Sequence, residues 1–241
     1  MRYAGKGWRV FIAALTLSGC ATGFDRGALR ERLASEPLQV TEQDIKAALE
    51  LKPQLRFPFK LGVYLQAESR GPSYGYPSGL RPGEWRWTEA DKSEILSWRK
   101  PLTKEGIVSD MFLISDVASA GTDLKNVRLA AAQHGADAVL IIRGASQVDR
   151  YVNPLSVLYL TIVGNWIVPG SNVDALMMVQ GALWDVANGY LYATTDAEAE
   201  TKKTGPSMLL DDRGPLAESR KKALEDFGVE FTRRLRSLYG A

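Results

Sequence analysis

Residues 129–143 read Leu-Ala-Ala-Ala-Gln-His-Gly-Ala-Asp-Ala-Val-Leu-Ile-Ile-Arg. The Ala-rich first half continues a helix that opens near Asp123 and closes at Gly135, a residue suited to ending helices. The chain then passes at once into a strand from Ala136 to Val148, whose early part is apolar on both faces. A strand with no polar face belongs in the middle of a covered sheet. A helix feeding directly into a central strand predicts an α/β domain.

Upstream, the run from Ile107 to Ser115 is rich in Val, Ile, Phe and Leu and reads as a strand. Before it, Thr88 and Asp91 open a helix carrying Ile95, Leu96 and Trp98, expected to stop by Pro101. Leu61, Val63 and Leu65 alternate through Lys60–Ala67, a strand pattern. Thr41 with Asp44 forms a capping-box-like start for a helix carrying Ile45, Ala48 and Leu49. Downstream, Asn188-Gly189 separates two strand-like runs, Val173–Ala187 and Tyr190–Thr201, and predicts a two-residue hairpin turn. The stretch 202–215, starting at Lys202 and Lys203, reads as a mobile loop. Leu224, Phe227, Phe231, Leu235 and Leu238 then step along one face of a long C-terminal helix. The expectation is a single α/β (α+β) domain in two or three layers: a mixed sheet with an Asn-Gly hairpin and helices packed on it.

The N-terminus has a different character. Arg2, Lys6 and Arg9 lead into an apolar run from Val10 to Leu17, too short to span a bilayer and flanked like a secretory signal. Leu17-Ser18-Gly19-Cys20 resembles the bacterial lipobox, in which the cysteine takes a diacylglycerol and becomes the first mature residue. Cys20 is the single cysteine of the chain, so lipidation also accounts for an otherwise unpaired thiol. The resemblance implies several acyl chains, palmitate among them, and hence stable anchoring. By the sorting rule of the lipoproteins it resembles, Ala21, where an Asp would mean retention at the inner membrane, implies the periplasmic face of the outer membrane as the expected destination. The domain plan is a signal peptide over 1–19, a lipidated tether over 20–40, and an α/β periplasmic domain over 41–241 with an apolar insertion at 154–170.

The 241 residues carry a formal charge of +2. Without Arg2, Lys6 and Arg9, 27 basic residues face 28 acidic ones. Such a balance excludes a general nucleic-acid-binding role.

Two segments are candidate contact surfaces. Leu155, Val157, Leu158, Tyr159, Leu160, Ile162, Val163, Trp166 and Ile167 lie between Pro154 and Pro169-Gly170 in a stretch without charge. As one helix, Leu155–Val168 measures about 21 Å, short of the roughly 30 Å hydrocarbon core. It either completes the core as a buried helix or hairpin, or contacts a membrane or a partner. The second segment interleaves Tyr74, Tyr76, Trp85 and Trp87 with Arg70, Arg81 and Arg86, a mixture suited to glycans or protein partners. Its bland alternative is that Trp85 and Trp87 cover the sheet.

No residues point to catalysis. His134 is the single histidine and sits at a helix C-terminus, where a cation is favoured. With no second base and no free thiol in the mature chain, neither a Ser-His-Asp triad nor a His/Cys zinc site is supported. Asp196, Glu198 and Glu200 alternate and read as the solvent face of the last strand, and Asp211-Asp212 adds no defined metal site. No cofactor is expected.

Two stretches carry a family likeness. Leu129–Leu140 and Ala182-Leu-Trp-Asp-Val-Ala-Asn-Gly-Tyr-Leu191 resemble steps in small periplasmic lipoprotein domains. Those include the curli-secretion channel lipoprotein and the N-terminal domain of the Tol–Pal propeller protein. This resemblance implies a sheet with helices on one side and no chemistry. The segment from Asn153 to Gly170 is similar to the middle region of the rhombotarget lipoprotein group, some of which end in a Gly-rich tail that this chain lacks.

The sequence therefore predicts a non-enzymatic envelope lipoprotein, an accessory or interaction module with a protein partner or self-association. Its alternative is a self-assembling envelope or secretion-channel component whose segment 155–168 contacts the membrane.

Overall fold

The computed structural model describes residues 23–33, 41–66, 86–115, 118–119, 121–160 and 164–240. Helices α1 (Arg26–Leu33) and α2 (Glu42–Glu50) precede β1 (Phe59–Gln66). Helices α3 (Glu89–Ser97) and α4 (Arg99–Lys104) lead to β2 (Val108–Ile114), and α5 (Leu124–Gln133) to β3 (Ala138–Val152). A 3-10 helix (Pro154–Leu160) and α6 (Gly164–Ile167) follow, then β4 (Ser171–Asp185), β5 (Leu191–Gly205) and α7 (Arg213–Tyr239).

One five-stranded sheet has the order β2-β1-β3-β4-β5. β1 is parallel to both β2 and β3, while β3, β4 and β5 are antiparallel neighbours. The crossover from β1 to β2 runs outward and that from β2 to β3 runs back. Right-handed crossovers in opposite directions place their helices on opposite faces. The packing agrees. Ile95, Trp98 and Leu102 of α3–α4 join Leu61, Leu140, Val179, Phe227 and Phe231 in one core. Val127, Ala130 and Ala131 of α5 meet Tyr64, Val139 and Ile141 on the other face. The domain is thus three-layered, correcting the expectation of helices on one side only.

The parallel strands are short, whereas β3, β4 and β5 span 15 residues each. The last β1 partner on β3 is Arg143, so β3 runs nine residues further, to Val152. At strand rise this three-stranded ribbon projects about 30 Å past the parallel part. Helix α1 covers one of its faces: Leu29 and Leu33 are buried against Ala145, Leu176 and Met178. Residues 26–33, read as tether, therefore belong to the folded domain, because two apolar residues at i and i+4 share one side of the helix.

Three local differences from the sequence reading have clear causes. The helix continues past Pro101 because a new helix starts after Trp98, so Pro101 stands in its first turn, where its missing N–H costs nothing. β4 and β5 are joined through residues 186–190 rather than by a two-residue Asn-Gly turn. Asp185 accepts from the Ala187 and Asn188 amides at 2.8 and 3.2 Å and so winds a longer turn, with Gly189 at φ 77°. Lys202 and Lys203 extend β5 instead of starting a loop, their positions pairing with Asp174 and Val173.

The capping boxes at Thr41–Asp44 and Thr88–Asp91 both form. Two glycines are set by close approach. A Cβ at Gly228 of α7 would lie 2.5 Å from Trp98 Nε1, and one at Gly181 of β4 would lie 2.5 Å from Phe227 Cζ.

Candidate functional site

The apolar insertion sits at the tip of the ribbon, between β3 and β4. It is neither one helix nor a hairpin, but a 3-10 helix followed by the short α6. Its polar groups turn inward. The Asn153 amide donates to the Gly170 carbonyl at 2.8 Å, and Asn153 Nδ2 to the Pro169 carbonyl at 2.8 Å. The Leu155 amide donates to Asn153 Oδ1 at 3.0 Å. The Tyr159 hydroxyl reaches the Val168 carbonyl at 3.3 Å and Ser171 Oγ at 3.1 Å. A Cβ at Gly170 would strike the Ser156 backbone at 2.8 Å, so the loop closes tightly on itself.

The apolar side chains point the other way: Leu155, Val157, Leu158, Trp166 and Ile167 are 47–69% exposed. A buried helix or hairpin completing the core is ruled out for these residues. Tyr159 is half-buried and belongs to the loop's inner side. Leu160 ends the 3-10 helix, and Ile162 and Val163 lie outside the described residues.

Beside this loop lies a second one that sequence reasoning missed. Ser171 pairs with Gly205, so the chain from β5 to α7 leaves the sheet at the same tip. There Met208 and Leu209 are 58% and 63% exposed. Arg150 of β3 ties this loop down, donating from Nη2 to the Ser207 carbonyl at 2.8 Å, with Nη1 3.7 Å from Asp212. Met208-Leu209-Leu210 carried an apolar signal, but the neighbouring lysines and acids masked it.

The aromatic loop is only partly described. Tyr74, Tyr76, Arg81 and Trp85 lie outside the described residues, as do Leu17, Ser18, Gly19 and Cys20. The loop leaves at the C-terminal end of β1 and returns at Arg86 and Trp87. Trp87 Nε1 donates to the Gln66 carbonyl at 3.0 Å and its ring packs on the core, so Trp87 covers the sheet. The Arg86 carbonyl accepts from Arg220 Nη2 at 3.1 Å. Next to Gln66, Arg143 Nε donates to Gln66 Oε1 at 2.7 Å and Nη1 to the Leu33 carbonyl at 3.1 Å. Burial pushes the Arg143 guanidinium below its ordinary pKa, and these neutral acceptors soften the cost of burying its charge.

His134 caps α5, its Nδ1 2.8 Å from the Ala130 carbonyl and its ring stacked on Phe112. The Asp196–Glu200 row is not plain solvent surface. Arg26 of α1 bridges Glu198 and Glu200 at 3.1 Å each, so the row docks that helix. A cavity between α1 and the sheet, lined by Arg30, Met178, Asp196 and Glu198 among others, holds about 20 Å³, room for a water. Among the described residues, no group of three His, Cys, Asp or Glu is placed to hold a metal, and no helix is long and apolar enough to cross a membrane.

No protein-family model matches the chain, and no curated protein matches it in sequence. Solved structures of bacterial lipoproteins are among those it resembles. A minor lipoprotein from Acinetobacter baumannii is 10% identical over 76% of this chain and 93% of the other, with a TM-score of 0.35. Lipoprotein GNA1162 from Neisseria meningitidis is 14% identical over 76% of this chain and all of the other, with a TM-score of 0.31. A PelC dodecamer from Paraburkholderia phytofirmans is 17% identical over 73% of this chain and 88% of the other, with a TM-score of 0.31. At these values the likeness is coarse.

Proposed function

We propose that this protein is a lipoprotein held by acyl chains on Cys20 at the periplasmic face of the outer membrane. It serves there as a non-enzymatic accessory or interaction module of the envelope. The observation that carries this reading is Leu17-Ser18-Gly19-Cys20, a complete lipobox ending a signal-type segment and holding the chain's single cysteine. The fold supports it as well. α1 begins six residues after Cys20 and docks on the ribbon, so the anchor joins the domain through a short leader.

The test is metabolic labelling with a palmitate analogue in a Gram-negative host, with mass analysis of the mature chain. Labelling of the wild type and its loss in Cys20→Ala are expected. An unlabelled chain cleaved elsewhere would overturn the assignment.

A second reading is a self-assembling envelope or secretion-channel component. The exposure of Leu155, Val157, Leu158, Trp166 and Ile167 favours it, since apolar patches mark interfaces. It predicts that the chain alone forms closed oligomers of fixed size in detergent, measured by light scattering, and that Trp166→Ser with Ile167→Ser dissolves them, whereas the anchored module of the first reading keeps its oligomeric state in that variant.

A further inference from the structure

The sheet ends in two unlike edges. On one side β2 is short, and its Met111 amide donates to Asp110 Oδ1 at 2.7 Å, a carboxylate that Arg99 holds at 3.0 Å. A side chain thus already takes up a backbone donor of that strand, a common way of closing an edge. On the other side β5 has β4 as its neighbour along 15 residues. Its side chains alternate between two faces. Glu198, Glu200 and Lys202 share the face that carries α1, where Arg26 reaches both glutamates at 3.1 Å and Lys202 Nζ lies 3.6 Å from Asp174. Ala197 and Ala199 face the core with Phe227 and Phe231 of α7, and Thr201 follows them on that side.

Two observations select what this edge takes. The first is the order of charges. When two identical strands pair antiparallel about a twofold axis, each residue meets the one equally far beyond a central residue. Centring on Glu198, Glu200 or Lys202 sets a charge against its own copy, and centring on Ala197 sets Asp196 against Glu198. Centring on Thr201 sets Glu200 against Lys202 of the second copy, twice over, with Glu198 against Thr204 and no like pair. Charge then alternates across the seam, from Arg26 to Glu200 to Lys202 of the second copy and on to the Asp174 beside that lysine.

The second observation is Thr201 itself. It is 9% exposed, and its Oγ1 is buried without a hydrogen-bond partner, which is costly for a hydroxyl. Centring on Thr201 brings the two copies of this residue opposite each other, with Cβ atoms about 5 Å apart. A turn about χ1 then lets one hydroxyl donate to the other. The register that matches the charges is also the one that fills this bond.

We propose that β5 is a homodimer edge, pairing residues 197–205 with those of a second copy antiparallel about Thr201. Two five-stranded sheets become one continuous sheet. The pairing depends neither on the Cys20 anchor nor on the apolar tip. Its contact is essentially one strand pair, so it belongs among the small, reversible interfaces.

The test uses the full chain with Cys20→Ala, exported by a cleavable signal so that no acyl chain is attached, in sedimentation equilibrium over a concentration series. A reversible dimer is expected. Glu200→Lys and Lys202→Glu each turn two attractive pairs into two repulsive ones and should weaken it about tenfold or more. An equimolar mixture of these two variants should regain the dimer, and so should one chain carrying both substitutions. Trp166→Ser with Ile167→Ser should leave it intact. Glu200 and Lys202 are exposed, and unaltered circular dichroism and Tm verify folding. A monomer up to about 1 mM, an association indifferent to the single reversals, or no recovery in the mixture and the double variant overturns the edge. Loss of the dimer in the Trp166 and Ile167 variant moves the contact to the tip and likewise overturns it. Cys20 labelling is read separately, so the anchor and the edge stand or fall independently.

Discussion

The Tyr192 hydroxyl donates to Asp185 Oδ2 at 2.6 Å and accepts from the Gln54 and Leu55 amides at 2.9 and 2.8 Å. One phenol thereby clamps the segment before β1 to the end of β4. Burial, then the bond to Asp185, pushes the Tyr192 hydroxyl up to about 12. Tyr192→Phe leaves the buried Asp185 with one acceptor unfilled, at a cost of about 1–3 kcal/mol, measured as a lower urea midpoint at unchanged slope. The pH dependence has a definite sign. Between about pH 10 and 12 the folded chain keeps a proton that the unfolded chain has lost. Stability therefore falls as pH rises through that window, and Tyr192→Phe should flatten the fall. An equal alkaline loss in the variant would remove Tyr192 from the account.

Gly228 and Trp98 meet where α7 crosses the start of α4. Gly228→Ala gains up to about 1 kcal/mol of helix propensity. The new methyl, however, meets a buried indole at 2.5 Å, and overpacking costs about 1–3 kcal/mol. A net lower Tm is expected, partly recovered by adding Trp98→Phe. A higher Tm in the single variant would show that the helix can shift freely.

Helix α1 is held by Leu29 and Leu33, with Phe24 beside them, by the Arg26 bridges and by the bond from Arg143 to the Leu33 carbonyl. Leu29→Ala removes about 2–5 kcal/mol of burial, more than a two-turn helix can lose while staying docked. Fast amide exchange confined to residues 26–33 is expected, with β3 and β4 still protected. Exchange rising uniformly across the sheet would instead make α1 part of the global fold.

Glu230 accepts from Arg233 and Arg234 at 2.6–2.8 Å. These bonds, Arg233 first, hold its carboxyl down at about 2, against an ordinary 4.5. The sign is opposite to that of Tyr192: the contribution is present above about pH 4.5 and fades as pH falls toward 2. Glu230→Gln should shallow the acid limb of Tm against pH, and added salt should shrink the difference, because the group is solvent-screened. An unchanged limb at low salt would count against the pairing.

The helix–Gly–strand step at 124–142 was legible because apolar periodicity and a glycine stop coincide there. So were the capping boxes and the stripe from Leu224 to Leu235, all local patterns. What escaped depended on distant partners. Two leucines, Leu29 and Leu33, say little until Ala145, Leu176 and Met178 are placed opposite them. The insertion's hydrophobicity was plain in the sequence, but its outward direction was not. That direction follows from inward hydrogen bonds of Asn153 and Tyr159 to Pro169, Val168 and Ser171. Met208 and Leu209 joined the candidate surface only through the pairing of Ser171 with Gly205.

β5 is the last strand of the sheet and 15 residues long, an open row of backbone donors and acceptors. Such an edge is a template on which further strands can grow. Along it run Asp196, Glu198, Glu200, Lys202 and Lys203, and Arg26 locks two of these carboxylates in place. Pairing a second copy antiparallel about Ala199 would set Glu198 against Glu200 of that copy, repelling at short range, and Lys202 against its Asp196, attracting. The order of charges along β5, rather than its open backbone, therefore decides which edge-to-edge pairings this strand can accept.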